Sequence, residues 1–335
     1  MQLEFSFIIP VFNRPNEIDE LLHSFRNLNL HKNFEIVIVE DGSTKTSEDV
    51  IKRYQEQLHI SYFTKANSGP GDSRNFGMQH AKGNYFIILD SDCILPPDYL
   101  HIVTSFLKNN FIDCFGGPDA AHENFSDLQK AINFTMTAFI TTGGIRGNKK
   151  QINKFQPRSF NMGLSKDAFI KTGGFGNIHP GEDPDLSIRL WKLGYQTALI
   201  SEAFVYHKRR ISWTKFYKQV SKFGLVRPIL NRWHPETKKI TYWFPSLFIL
   251  GLLVAFVLAV FSYFQLLALY GIYFLVVFLI ALRSTRSLKI AIQSIFATMI
   301  QFTGYGFNFL KSITILRISN KKPEEIFPQL FFKSK

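Results

Sequence analysis

The sequence predicts an α/β domain with a mostly parallel sheet, followed by C-terminal transmembrane helices. Two observations carry this prediction. Residues 3–117 alternate short apolar segments of strand length with amphipathic segments of helical period, a succession that is typical of a parallel sheet covered by helices. Residues 240–282 then provide 43 residues without a charged side chain, whereas one spanning helix needs about 20 apolar residues.

The first strands and helices have clear local signals. The first strand, at residues 5–9, is a continuous run of mainly apolar residues. Among the helices, residues 17–28 place Ile18, Leu21, Leu22 and Phe25 on one face at a spacing of 3.6 residues. The other predicted strands are 34–39, 60–63 and 85–89, and the other predicted helices are 47–57 and 71–81. The residues that follow these parallel strands should meet at one edge, where such a sheet holds its ligand.

The second half of the domain is less regular. We predict a helix followed by a mobile loop over residues 118–157. Order returns at Ser159, and a helix ends at Leu193. Two closing strands are predicted at 195–200 and 203–207. The predicted catalytic domain therefore spans residues 1–207.

The charge of the chain is concentrated next to the uncharged run. The formal net charge is +13, and residues 208–239 contain ten Lys or Arg against the single acid Glu236. A basic segment can bind nucleic acid or an anionic membrane. Because a membrane hairpin follows directly, we interpret residues 208–239 as a basic segment at the membrane interface and exclude nucleic acid as a partner.

The C-terminal third is predicted to be a multi-pass membrane anchor. Residues 240–282 form a hairpin of two spans, and residues 283–310 form a basic loop and a third transmembrane or interfacial helix, for which a span is slightly favoured by length. Residues 311–335 form a basic tail. The N-terminus lacks the pattern of a signal peptide, so we expect a cytoplasmic catalytic domain at the cell inner (plasma) membrane. The two cysteines, Cys93 and Cys114, fit a reducing compartment.

An acid pair supplies the first chemical signal. Asp90 and Asp92 directly follow the apolar strand 85–89, and hard divalent cations prefer oxygen ligands. This arrangement indicates metal-assisted chemistry on a phosphate-bearing substrate. The alternative is a turn whose aspartates cap the helix after Pro96-Pro97.

Four motifs in order resemble the family 2 glycosyltransferases of the Rossmann-like GT-A fold. They are Pro10-Val11-Phe12-Asn13-Arg14, Glu40-Asp41-Gly42-Ser43, Asp90-Ser91-Asp92 and Gly181-Glu182-Asp183. The resemblance covers roughly residues 4–225. Glu40 stands where Asp is more usual in the family, and residues 219–223 lack the Arg and Trp of processive synthases. These departures favour transfer of a single sugar over polymer synthesis.

The resemblance implies roles in donor and metal binding. Mn²⁺ or Mg²⁺ would be held by Asp92, His207 and Asp90. The nucleotide would contact Pro10 and Phe12 as walls for the base, Asp41 through the base N3–H (which favours uracil), and Arg74, Asp90 and Asp92 near the ribose and diphosphate. The alternatives are a packed imidazole for His207 and a surface ion pair with Asp72 for Arg74.

The resemblance also implies catalytic and sugar-binding residues. Asp183 would be the general base that removes the proton of an acceptor hydroxyl, with Glu182 orienting the sugar or acceptor. Asn161, Gly173 and Gly174 would contact the donor sugar. The alternatives are an acidic helix N-terminus for the carboxylates and a helix stop with a turn for the glycines.

These expectations define one leading function. The chain would be an inverting, metal-dependent glycosyltransferase that moves a sugar from a nucleotide-sugar, expected to be a UDP-sugar, to a hydroxyl of a lipid-linked glycan acceptor in cell-surface polysaccharide biosynthesis. The basic aromatic segment 213–233 would lie on the anionic membrane. The alternatives are a polyprenyl-phosphate glycosyltransferase, which needs no general base, and a non-catalytic membrane scaffold.

Overall fold

The computed structural model describes residues 2–29, 34–120, 125–143, 155–208 and 212–332. These residues form two compact units. The sheet unit contains the described residues up to 120, residues 155–208 and residues 331–332, and the helical unit contains residues 125–143 and 212–330. Most of the predicted mobile loop and part of the basic segment, including Arg209 and Arg210, lie outside the described residues.

In the described part of the sheet unit, ten strands form two sheets. The strands are β1 (Phe5–Val11), β2 (Phe34–Asp41), β3 (Ile60–Lys65), β4 (Tyr85–Leu89), β5 (Cys93–Ile94), β6 (Cys114–Gly116), β7 (Asp119–Ala120), β8 (Asn161–Ser165), β9 (Thr197–Leu199) and β10 (Val205–His207). The main sheet has the order β3-β2-β1-β4-β8-β6-β9, and the small sheet has the order β5-β10-β7. Strands β3, β2, β1 and β4 are parallel, whereas β8 is antiparallel to both of its neighbours. The prediction of a mostly parallel sheet is confirmed.

Thirteen α-helices are described. They are α1 (Pro15–Arg26), α2 (Glu48–Lys52), α3 (Pro70–His80), α4 (Tyr99–Asn109), α5 (Asp127–Thr137), α6 (Phe139–Thr142), α7 (Lys166–Thr172), α8 (Glu182–Lys192), α9 (Trp213–Trp233), α10 (Phe244–Val260), α11 (Gln265–Thr285), α12 (Leu288–Ile318) and α13 (Pro323–Ile326). The predicted helix 47–57 is shorter than expected, since regular α-helix ends at Lys52 and turns continue the chain.

Alternation along the strands builds a core on each face of the main sheet. In β1, Phe7 and Ile9 belong to one hydrophobic cluster with helix α1, while Ile8 belongs to the other cluster with Met78 of α3. Successive side chains of a strand point to opposite faces. Both faces are covered, which explains why the strands are continuously apolar.

Strand order reverses at the neighbouring strands β1 and β4. The chain goes from β1 outward to β2 and β3 and then returns to place β4 on the other side of β1. Ligands of open α/β sheets bind at the carboxyl ends of the strands beside such a switch point. The loop after β1 and the acid pair after β4 both lie there.

The helical unit contains a segment that the sequence assigned to the catalytic domain. On α5, Ile132 and Met136 are buried in one cluster with Phe216 and Val220 of α9 and Ala297 of α12. These long-range apolar contacts place residues 125–143 with the helices, so the structural division differs from the predicted boundary at residue 207. Residues 331–332 show the opposite difference. The sequence predicts them in the C-terminal basic tail, but they belong to the sheet unit.

The predicted hairpin is present as α10 and α11. Among the described residues, two helices are long and apolar enough to cross a membrane, Ile240–Val260 and Gln265–Thr285. Ser262 lies in the turn between them with a positive φ of 65°. The predicted third segment lies inside α12, which buries Ser294, Thr298 and Phe302 within the unit. Whether α12 spans a membrane stays a prediction.

Candidate active site

The acid pair lies beside His207. Strand β10 pairs with β5 so that His207 is opposite Cys93, the residue after Asp92. The His207 Nε2 atom is 3.2 Å from Asp92 Oδ1 and 4.0 Å from Asp90 Oδ2. Asp98, rather than either acid, stands at the N-cap of α4, so the alternative of a helix-capping turn for the pair is wrong.

Asp92 lies between two side chains, Arg14 and His207. Arg14, the residue before α1, forms an ion pair with Asp92. Burial alone would raise the pKa of Asp92, but the His207 imidazole and the Arg14 guanidinium lower that pKa below its usual range. Asp92 is therefore an anion at neutral pH.

The residues around Asp92 fit a divalent cation. Asp92, Cys93 and His207 offer ligand atoms that all lie within 4.8 Å of one another. The buried Nδ1 of His207 has no hydrogen-bond partner, and the ring stacks on Phe160 at 4.8 Å between centroids. Cys93 is a poorer ligand because burial raises the pKa of its thiol well above the usual value, and Sγ donates to the Phe160 carbonyl at 3.3 Å. The carboxylates and the imidazole are the suitable donor set.

Arg74 joins this acid pair to a second one. Its Nη2 donates to Asp90 Oδ1 at 2.8 Å, and its Nη1 donates to Glu182 Oε1 at 3.2 Å. Arg74 is only 3% exposed, so it is not the surface ion pair considered as an alternative. The bridge brings the end of β4 and the first turn of α8 into one site.

Glu182 is held as an anion by its neighbours. Besides Arg74, the Nδ1 atom of His179 lies 2.8 Å from Glu182 Oε1. Burial opposes ionisation, yet the His179 and Arg74 charges lower the pKa of Glu182 to about 2. Glu182 contacts Arg74 and His179, and its side chain is only 5% exposed. These buried contacts give Glu182 a structural role within the site.

Asp183 has the opposite environment. Its Oδ1 atom is buried without a hydrogen-bond partner. Burial and the neighbouring Glu182 carboxylate raise the pKa of Asp183 to about 6, against the opposing charges of Arg74 and Arg158. A carboxylate with an unpartnered acceptor oxygen and a raised pKa has the properties of a general base.

Asp41 closes a turn on the other side of the switch point. Its carboxylate accepts hydrogen bonds from the backbone N–H groups of Ser68 and Gly69, each at 2.9 Å. Lys65 Nζ donates at 2.9 Å and Asn67 Nδ2 at 3.3 Å. A carboxylate has about four lone-pair directions, so a base N3–H would have to replace the longest of these bonds, the one from Asn67.

The unusual Glu40 is a structural residue. Its Oε2 accepts from the Ser47 N–H at 2.9 Å and from the Tyr62 hydroxyl at 3.1 Å, and its Oε1 accepts from Ser43. The side chain thus links the loop after β2 to the start of α2.

The predicted base walls lie at the end of β1 and in the loop that follows it. Pro10 is half-buried in β1, and Phe12 is 51% exposed. Asn13 adopts a positive φ of 55° and accepts hydrogen bonds from the N–H groups of Thr44 and Lys45. The loop is therefore tied to the loop that follows β2, with the Phe12 ring left open to solvent.

The three predicted sugar contacts have structural roles. Asn161 is fully buried; it accepts from the Tyr99 hydroxyl at 2.6 Å and donates to the Ala203 carbonyl at 2.8 Å, so contact with a sugar would require a rearrangement. Gly173 ends α7 with a φ of 73°, and Gly174 follows with a φ of 76°. A Cβ on Gly174 would collide with Asn75, while Gly173 faces open space. The helix stop is confirmed, and the sugar contact stays a prediction.

Sequence reasoning missed three cationic or ionisable partners. Arg14 is the last residue of the first motif, His179 precedes Glu182 by three residues, and Lys65 is the register partner of Asp41 on neighbouring strands. Its place in a motif could have indicated Arg14, and adjacency to a motif could have indicated His179. Lys65 could have been found from the parallel alignment of β2 with β3.

The comparisons identify the family. The sequence model of Glycosyl transferase family 2 matches residues 6–173, half of the chain, and the chain belongs to this family. It is similar to an uncharacterized glycosyltransferase of Rickettsia felis, with 42% identity over 108 residues that make up 32% of this chain and 18% of that protein. It is also similar to the poly(ribitol-phosphate) beta-N-acetylglucosaminyltransferase TarS of Staphylococcus aureus, with 30% identity over 114 residues, 33% of this chain and 20% of that protein. These matches span about a fifth of the relatives' length.

A solved structure has the same fold. The mannosyltransferase of Pyrobaculum calidifontis in complex with GDP-Man and Mn²⁺ aligns with a TM-score of 0.59 and 14% identity, covering 90% of this chain and 88% of that one. The likeness, together with the family match, assigns the sheet unit to the Rossmann-like GT-A fold.

Proposed function

We propose that this chain is an inverting, metal-dependent glycosyltransferase that transfers one sugar from a UDP-sugar to a hydroxyl of a lipid-linked glycan. One observation carries the proposal. Arg74 binds both Asp90 and Glu182, so the acid pair after β4 and the carboxylate pair of α8 belong to one site. A site of this kind can hold a diphosphate at one end and a reacting hydroxyl at the other.

Donor binding is assigned to the switch point of the sheet. Asp41 would receive the N3–H of uracil in place of Asn67, and Pro10 and Phe12 would flank the base. The exposed Phe12 ring, on a loop held by Asn13, supports a stacking role. Arg74 would lie near the diphosphate. The GDP-Man and Mn²⁺ in the Pyrobaculum structure support a nucleotide-sugar as the class of donor.

The metal is assigned to Asp92 and His207, with Asp90 in support. The Asp92 Oδ1 and His207 Nε2 atoms are 3.2 Å apart, so both can face one cation. Arg14 would then leave Asp92 or share it. When bound, Mn²⁺ or Mg²⁺ would neutralise charge on the departing nucleoside diphosphate.

Asp183 is assigned as the general base. Its unpartnered Oδ1 would accept the proton of the acceptor hydroxyl while the acceptor oxygen bonds to the anomeric carbon. On the opposite face the bond from that carbon to the diphosphate oxygen breaks, and the nucleoside diphosphate leaves with the electron pair. Glu182, held by Arg74 and His179, would fix the position of Asp183 on α8.

A lipid-linked acceptor at the cytoplasmic face of the inner membrane is supported by the helical unit. The two apolar helices leave many large side chains exposed, among them Leu253, Val257, Leu269 and Leu275. Such surfaces are unfavourable in water and suit a bilayer. Lysines 215, 218 and 222 of α9 would contact anionic headgroups.

The test is a panel of nucleotide-sugars offered to the purified full chain in lipid nanodiscs, with and without Mn²⁺. We expect nucleotide release with a UDP-sugar in the presence of Mn²⁺, and loss of release in Asp92→Ala. Absence of release with every donor would contradict the proposal. Release from Asp92→Ala equal to that of the unaltered chain would contradict the metal site.

Offering different acceptors in the same assay distinguishes a hydroxyl acceptor from the polyprenyl-phosphate alternative. A phosphate acceptor needs no base, whereas the unpartnered oxygen and the raised pKa of Asp183 favour a hydroxyl acceptor. We therefore expect polyprenyl phosphate alone to accept no sugar. If it does, and Asp183→Asn keeps that activity, the hydroxyl acceptor is wrong.

A further inference from the structure

Residues Phe331 and Phe332 add a short extended segment to the sheet unit. Phe331 forms an antiparallel bridge with Ile178. The N–H of Phe332 donates to the Asn177 carbonyl at 3.0 Å. The segment thus pairs with the loop that leads to Glu182 and Asp183, although some 150 residues of chain separate them.

The Phe332 ring contacts the turn that holds Asp41. Gly69 has a φ of 95°, and a Cβ at this position would collide with the Phe332 ring. The N–H of the same Gly69 donates to Asp41 Oδ2 at 2.9 Å. The absence of a side chain at Gly69 therefore lets the ring pack directly on the backbone of this turn.

The same ring also lies beside His179, in the loop that leads to Glu182 and Asp183. The Phe332 and His179 ring centroids are 6.1 Å apart with an angle of 51° between the rings, within the range of aromatic pairs. His179 in turn contacts Glu182 at 2.8 Å. One side chain therefore touches both the turn that holds Asp41 and the imidazole that holds Glu182.

We propose that Phe332 is a positioning residue for donor use, which fixes the turn 66–70 and the loop 177–182 in their binding arrangement. The inference rests on the proposed function. Loops that are already ordered lose less entropy when a ligand binds. Without the ring, the donor itself would have to order both loops, so binding of the donor should weaken, and misplacement of Glu182 should slow the transfer step.

The experiment compares Phe332→Ala, Phe332→Leu and Phe332→Tyr with Phe111→Ala in the full chain. Phe111 is an exposed phenylalanine next to Tyr85, away from these loops, and serves as the matched control. We expect Phe332→Ala to raise the KM for the donor about tenfold and to lower kcat less. Phe332→Leu should be intermediate, and Phe332→Tyr and Phe111→Ala should keep the KM of the unaltered chain.

The thermal midpoint and nucleotide binding by calorimetry are measured alongside. An unchanged KM in Phe332→Ala, or tighter donor binding, would overturn the inference. If Phe332→Ala fails to fold, Phe332→Leu decides, and an unchanged KM in that variant has the same meaning. Failure of the unaltered chain to bind nucleotide would instead overturn the proposed function, so the two failures are distinguishable.

Discussion

Two carboxylate pairs of the sheet unit have the same chemistry and opposite environments. Asp92 lies between His207 and Arg14, which hold it as an anion. Asp183 carries an unpartnered oxygen, and its neighbour Glu182 takes up Arg74 and His179 as partners. The difference gives the two carboxylates the properties of the two roles proposed for them, since neighbouring cations favour an anionic ligand, and burial beside another anion favours a proton acceptor.

The largest effect is expected from Asp183→Asn, which tests the proposed role of Asp183 as general base. We expect turnover to fall by about 10²–10⁴-fold because an amide cannot accept the proton. Nucleotide binding should persist, since Asp183 lies on the acceptor side in this assignment. Near-normal turnover would show that Asp183 is not the base.

The same variant should be more stable than the unaltered chain. The pKa of Asp183 in the folded chain, about 6, lies above its ordinary value of 3.8, so its ionised form destabilises the fold at high pH. The gain, of about 1–3 kcal/mol, should be present above pH 6 and decline as the pH falls toward 4. Thermal midpoints at pH 8 and pH 4.5 measure it, and an equal or lower midpoint at pH 8 would contradict the buried anion.

The next test is the pH dependence of kcat/KM. Protonated Asp183 cannot act as a base, so the rate should fall on the acidic side with a midpoint near pH 6, about tenfold for each further pH unit. Burial raises the pKa of Asp183 most, and the Glu182 charge raises it further. Glu182→Gln removes that charge, so the midpoint should move to lower pH.

Asp185→Asn is the matched control for that shift. Asp185 lies in the first turn of the same helix and is paired with Arg189 at 2.8 Å. The midpoint should stay near pH 6 in this variant. An equal shift in both variants would assign the effect to the helix end as a whole rather than to Glu182.

Local signals account for what the sequence could predict. Apolar runs and helical periods located β1, β2, β4 and α3 within a few residues, and strand ends located the acid pair. Contacts between distant segments were not predictable in this way. The pairing of Arg14 with Asp92, the packing of α5 on α9 and the contact of Phe332 with Gly69 each depend on tertiary structure. Residues of weak periodicity, such as 125–143, accordingly belong to the helical unit, whereas the sequence predicts them in the catalytic domain.

The smallest expected effect belongs to Cys93→Ser. Cys93 lies beside Asp92 and within reach of His207, but its buried thiol donates to the Phe160 carbonyl, and a serine hydroxyl can make the same bond. The Mn²⁺ concentration that gives half-maximal activity should therefore stay within about twofold, a difference of less than 0.5 kcal/mol. Titration of Mn²⁺ into both proteins measures it. A larger shift would add Cys93 to the proposed ligand set. It would also weaken the contrast between a pair proposed to bind metal through oxygen and imidazole and a pair proposed to accept a proton.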